Sequence, residues 1–126
     1  MRDSVILKRS KAFALRIIKL YKYLNDVKRE HLLSKQLLRC GTSIGANVKE
    51  AIYAQSKADF TAKLFIAQKE CAETEYWLEL LYESDYMSKS EFDSIYGDCE
   101  DLMNMIVAST KTLQGKNNSY LLSSNS

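Results

Sequence analysis

With 126 residues, 46% of them hydrophobic, and a formal net charge of +2, the chain fits one domain with a real core to bury. The absence of proline and the presence of only four glycines permit long helices and leave little β-turn chemistry. No apolar run approaches the ~20 residues that a bilayer demands, and the opening residues have no long apolar run and no small-residue cleavage site, so neither a membrane span nor a secretory signal is expected.

The first predicted helix covers 4–27, because Phe13, Ile17, Leu20, Leu24 and Val27 recur at steps of four and three. A polar link over 28–31 precedes a second helix over 32–55, whose seam is Leu33, Leu37, Cys40, Ile44, Asn47 and Ala51. Ser56 with Asp59 has the S-x-x-D form that begins a helix, and the third helix runs to Glu83 along Phe60, Leu64, Ala67, Cys71, Thr74, Leu78 and Leu81. Ser88 with Glu91 repeats the device as S-x-x-E. The fourth helix carries Phe92, Ile95, Cys99, Leu102 and Ile106 and is expected to end near Leu113, where Gly115 is placed to stop it. Links this short force successive helices to run antiparallel. The predicted fold is therefore all-α, an antiparallel up-and-down four-helix bundle over 1–114. The remaining segment 115–126 is expected to be a disordered polar tail, since seven of its twelve residues are Asn or Ser.

Cys40, Cys71 and Cys99 are odd in number and fall on seam positions, where cysteine acts as a small hydrophobe. Reduced core thiols and a cytoplasmic location follow. There is no C-x-x-C and only one histidine, His31, so no metal site or cofactor is expected. A phosphate-cradling glycine loop and the hydrolase and protease signatures are also missing. No catalytic residues are assigned, and the chain is expected not to be an enzyme.

Charge is uneven. Residues 1–30 hold nine Lys/Arg against three Asp/Glu, or +6, whereas residues 61–100 hold three against ten, or −7. Either neighbouring helices complement each other, or Lys8, Arg9, Lys11, Arg16, Lys19 and Lys22 form a nucleic-acid footprint.

Two features exceed what a lone bundle needs. The third helix has a second apolar side, carried by Phe65, Ile66, Tyr76, Trp77 and Leu80, which predicts a homo-oligomer interface. The second helix carries a polar stripe, Gln36, Arg39, Ser43, Asn47 and Glu50, with Arg39 in reach of Glu73 or Glu75. It is expected to be a buried network that fixes register and assembly. A catalytic groove using Arg39, Asn47 and Glu50 lacks a nucleophile paired with a base.

The stretch 33–81 resembles the 23S rRNA intervening-sequence proteins, a bacterial family of small four-helix bundles. The residues that carry the resemblance are Gln36, Arg39, Ser43, Ile44, Asn47, Val48 and Glu50, then Ser56, Asp59, Phe60, Ile66, Ala67 and Glu73. Ala51 stands where the family usually has glycine, and a proline common in the first link is absent. The resemblance implies a bundle often assembled as a ring-shaped homopentamer, with no known enzyme activity. It also implies an alternative, because a distant relative, the accessory protein of diversity-generating retroelements, binds a reverse transcriptase and nucleic acid.

Overall fold

The computed structural model describes the backbone of residues 2–125 and the side chains of residues 5–111. Four helices follow one another, α1 (Arg2–Asp26), α2 (Leu33–Ile52), α3 (Lys57–Glu83) and α4 (Lys89–Asn125), with no strand among the described residues. Each helix packs on its successor, and α1 closes the square against α4 through the thinnest seam of the four. This is the antiparallel four-helix bundle that the heptads require.

The core lies where the seams place it. On α3, Leu64, Ala67, Cys71, Thr74, Leu78 and Leu81 are all buried, and they meet Leu37, Cys40 and Ile44 of α2 and Ile95, Cys99, Leu102 and Ile106 of α4. Burial of each large aliphatic chain contributes about 1.5–3 kcal/mol. Two seam assignments differ. Val27 lies one residue past the end of α1 and is 63% exposed; the buried line of α1 starts earlier instead, at Ile6 and Ser10. On α2 the fully buried position is Val48, and Asn47 is half-buried beside it. An apolar side chain takes the interior and the amide stays near water.

Both predicted helix starts are built. Ser56 Oγ accepts the Asp59 N–H at 3.0 Å. At α4 the box is reciprocal: Ser88 Oγ accepts from Glu91 N at 3.2 Å, and Glu91 Oε1 accepts from Ser88 N at 3.0 Å. Ser88→Ala is therefore expected to lower stability by about 1 kcal/mol, and Ser56→Ala by less. Urea midpoints compared at equal slope check this, and equal losses for the two variants would contradict it.

The helical backbone of α4 continues past Gly115 to Asn125. One glycine in a proline-free run costs only about 1 kcal/mol and does not by itself end a helix. The side chains of the segment 115–126, set apart above as a polar tail, lie outside the described residues.

The α1–α2 link is more than a polar spacer. Arg29 takes a left-handed backbone with φ 58 and turns the chain back on itself. That turn brings the Glu30 carboxylate over the open end of α2. It accepts from Leu32 N at 3.1 Å, Leu33 N at 2.9 Å and Ser34 N at 2.7 Å, while Ser34 Oγ donates to Glu30 O at 2.8 Å. Asn25 extends the corner, its Nδ2 donating to Ser34 Oγ at 3.0 Å and its Oδ1 accepting from His31 Nδ1 at 2.8 Å. Burial would raise the Glu30 pKa, but the backbone donors outweigh it and hold the carboxyl below its ordinary value.

Candidate assembly face

The polar stripe of α2 and the second side of α3 form one continuous surface. Along α3, Lys63, Ile66, Glu70, Glu73, Trp77 and Leu80 follow at steps of three and four, which places them in one row beside α2. Arg39 pairs with Glu73 and lies 3.7 Å from Glu70 Oε2. Lys63 Nζ reaches Glu50 Oε1 at 3.1 Å. Glu75 is not part of this row. It is turned about 200° from Glu73 around the helix, and its electrostatic neighbours are Glu79 and Glu100. Burial and those two carboxylates push its pKa up.

Within the single chain the stripe forms a ladder at the surface. The Arg39 side chain is 51% exposed, and Gln36 and Glu50 face solvent. Ser43 Oγ donates back to Arg39 O at 2.7 Å, and Asn47 Nδ2 donates to Ser43 O at 2.8 Å. These side chains are satisfied along their own helix, so only the ion pairs cross to α3. Two buried polar atoms on the α3 row lack a hydrogen-bond partner, Glu70 Oε2 and Trp77 Nε1. Glu70 retains its ion pair to Arg39. Its pKa is nonetheless raised, first by burial and then by Glu73.

The apolar residues assigned to an interface divide into two groups. Phe65 and Ile66 are each 38% exposed and Tyr76 is 54% exposed. Trp77 and Leu80 are half-buried, and Trp77 packs on the core with its ring edge-on to Tyr76 at 5.3 Å.

The basic residues Lys8, Arg9, Lys11, Arg16, Lys19 and Lys22 are all exposed. Arg16 Nη1 contacts Asp98 Oδ2 at 2.5 Å and Nη2 donates to Ser94 Oγ at 3.1 Å, tying α1 to α4. A groove of about 430 Å³ opens beside this pair, lined by Lys19, Leu20, Tyr23 and Ile95 among others. A neighbouring hollow of about 290 Å³ sets Arg9 near Asp98 and Asp101. The inner flank of the basic helix thus looks onto carboxylates of α4. Sequence reading could anticipate this only as opposite segment charges, because the partners lie 82 positions apart.

The cysteine thiols are hidden. The three cysteines are free and buried, and burial pushes the Cys40 thiol up to about 11. Cys99 Sγ donates to Cys71 O at 3.5 Å. No cluster of metal-ligating side chains occurs among the described residues. No helix among them is long and apolar enough to cross a membrane.

A sequence model of the 23S rRNA-intervening sequence protein family matches residues 2–108, a span that enters all four helices. The chain belongs to that family. This intervening-sequence family member is also similar to a solved structure, a protein of unknown function from the S23 ribosomal protein family of Bacteroides thetaiotaomicron. The two chains are 48% identical, superpose with a TM-score of 0.87, and overlap over 88% of this chain and 99% of the other. No curated protein matches the family member.

Proposed function

We propose that the chain is a non-enzymatic, cytoplasmic scaffold or interaction protein that works as a homo-oligomer, with a ring of five as its stoichiometry. The observation that carries the reading is the exposure of Phe65, Ile66 and Tyr76 on one side of α3. Three large apolar side chains on one helix favour a protein partner over water. The ion-pair ladder of Arg39, Glu73, Glu50 and Lys63 borders them, as charged rims border apolar interface centres. The count of five is supported by the family resemblance alone. Free, buried thiols agree with a reducing compartment.

Light scattering on the purified protein is expected to give a multiple of the 14.5 kDa chain mass, five-fold for the ring, and Ile66→Asp is expected to reduce it to one chain. A wild type that stays at single-chain mass at high concentration overturns the reading.

The alternative is a nucleic-acid accessory protein acting with RNA or a reverse transcriptase through the basic α1. Its supporting observation is the exposure of all six cations. The carboxylates Asp98 and Asp101 beside Arg9 and Arg16 weigh against it, since they repel phosphate. Titration with a structured RNA decides it, because phosphate-driven binding is strong at about 50 mM salt and collapses at higher salt.

A further inference from the structure

We infer that the copies join head to tail, the outer strip of α3 on one chain lying against the outer strip of α1 on the next. This rests on the assembly reading above and names the two surfaces that it leaves open.

Each of these helices carries a second heptad on its outside. On α1, Val5, Lys8, Ala12, Leu15, Lys19 and Lys22 follow at steps of three and four, and every one is exposed, Leu15 at 59% and Val5 at 46%. On α3, Ala58, Ala62, Phe65, Lys69, Ala72 and Tyr76 keep the same spacing and are also all exposed. Val5, Ala12 and Leu15 on α1, and every strip residue but Lys69 on α3, offer apolar surface at the spacing by which one helix seats another, and alanines on both strips allow close approach. No residue of either strip is used by the core.

Charge selects the pairing. The second half of α3, residues 70–83, holds five glutamates and no cation. Packing α3 against a parallel copy of itself brings those carboxylates together, and an antiparallel copy offers them only Lys57, Lys63 and Lys69, of which Lys63 already holds Glu50. Packing α1 against α1 brings its lysines together. The α3 strip continues at the same spacing to Glu79 and Glu83, which the crossed pairing sets near the lysines of α1, and Lys69 is the one cation that it carries. Among the described residues the α1 and α3 backbones are not neighbours, being diagonal in the bundle, so their outer strips face different directions and one chain can engage two neighbours at once. Such a heterologous contact propagates, and the rotation at each step determines whether it closes into a ring.

Two variants that each block one strip test this. Phe65→Glu blocks α3 and Leu15→Glu blocks α1, both at exposed positions, with helix content checked by circular dichroism. Each alone is expected at the 14.5 kDa single-chain mass. An equimolar mixture is expected to double that mass and stop, because one intact α1 strip meets one intact α3 strip and nothing remains to extend it. Lys8→Glu/Lys19→Glu repeats the α1 arm without touching an apolar residue. If Leu15→Glu or the lysine variant assembles like the wild type, or the mixture stays monomeric where the wild type is assembled, the head-to-tail contact is wrong. A monomeric wild type instead overturns the assembly reading itself, so the two failures are distinct.

Discussion

Glu30→Ala is expected to lower the unfolding free energy by about 2–4 kcal/mol, the largest loss from any single polar side chain in this bundle. The carboxylate serves three backbone N–H groups at the start of α2, and it is only 8% exposed. Orphaned buried donors cost about 1–3 kcal/mol each, less where water reaches them. Glu30→Gln retains one acceptor oxygen and loses the charge, so it should fall between wild type and alanine. The pH dependence has a definite sign. The folded pKa lies below the ordinary value of 4.5, so the stabilisation is complete above that value and is lost as pH falls through the folded pKa. The difference between wild type and Glu30→Ala in urea should therefore be constant above about pH 5 and shrink in acid. Glu91 adds to this acid loss, since its pKa is lowered by the Ser88 backbone and side-chain hydrogen bonds. Glu70 and Glu75 act in the opposite sense. Their raised pKa values favour the folded state as they protonate, so the wild type gains in mild acid before it loses in stronger acid. A Glu30→Ala difference that persists unchanged at pH 2 would show that the carboxylate is not the cap.

What was legible in the chain follows from the range of each interaction. The heptad seams report directly on burial, because a side chain three or four residues on shares the same face, and the predicted α3 seam is buried from Leu64 to Leu81. The capping boxes were legible for the same reason, being local in both partners. Glu30 was not, although it lies in a segment of four residues. Its role depends on the left-handed turn at Arg29, which no side-chain pattern announces. The polar stripe of α2 is legible from its spacing, and Arg39 does find Glu73, while the exposure of that face in the single chain is not. Spacing fixes which residues share a face of a helix, whereas only the packed bundle shows how deep that face sits. The outer strips of α1 and α3 are exposed and contribute nothing to the buried core, so the core pattern of the sequence does not mark them.

The approach of α1 to α2 depends on Gly41, and substitution there should reveal a coupled pair. A Cβ on Gly41 would stand 2.8 Å from Ile17 Cγ1 and 2.9 Å from Cγ2, inside van der Waals contact. Ile17 is fully buried and β-branched, so it cannot swing away cheaply. Helix propensity favours alanine over glycine by about 1 kcal/mol, and overpacking of this kind costs about 1–3 kcal/mol, so Gly41→Ala should be net destabilising by up to about 2 kcal/mol. Gly97→Ala is the control, because nothing lies within 4 Å of its added carbon and only the propensity gain remains. Ile17→Ala alone should cost about 2–5 kcal/mol through the cavity it leaves. Combined with Gly41→Ala, the new methyl enters the vacated space, so the double variant should be more stable than Ile17→Ala alone, with a coupling of about 1–3 kcal/mol. Denaturant unfolding of the four-member cycle measures this coupling. Additive losses, or a Gly41→Ala gain equal to that of Gly97→Ala, would mean that the two helices do not meet at this glycine.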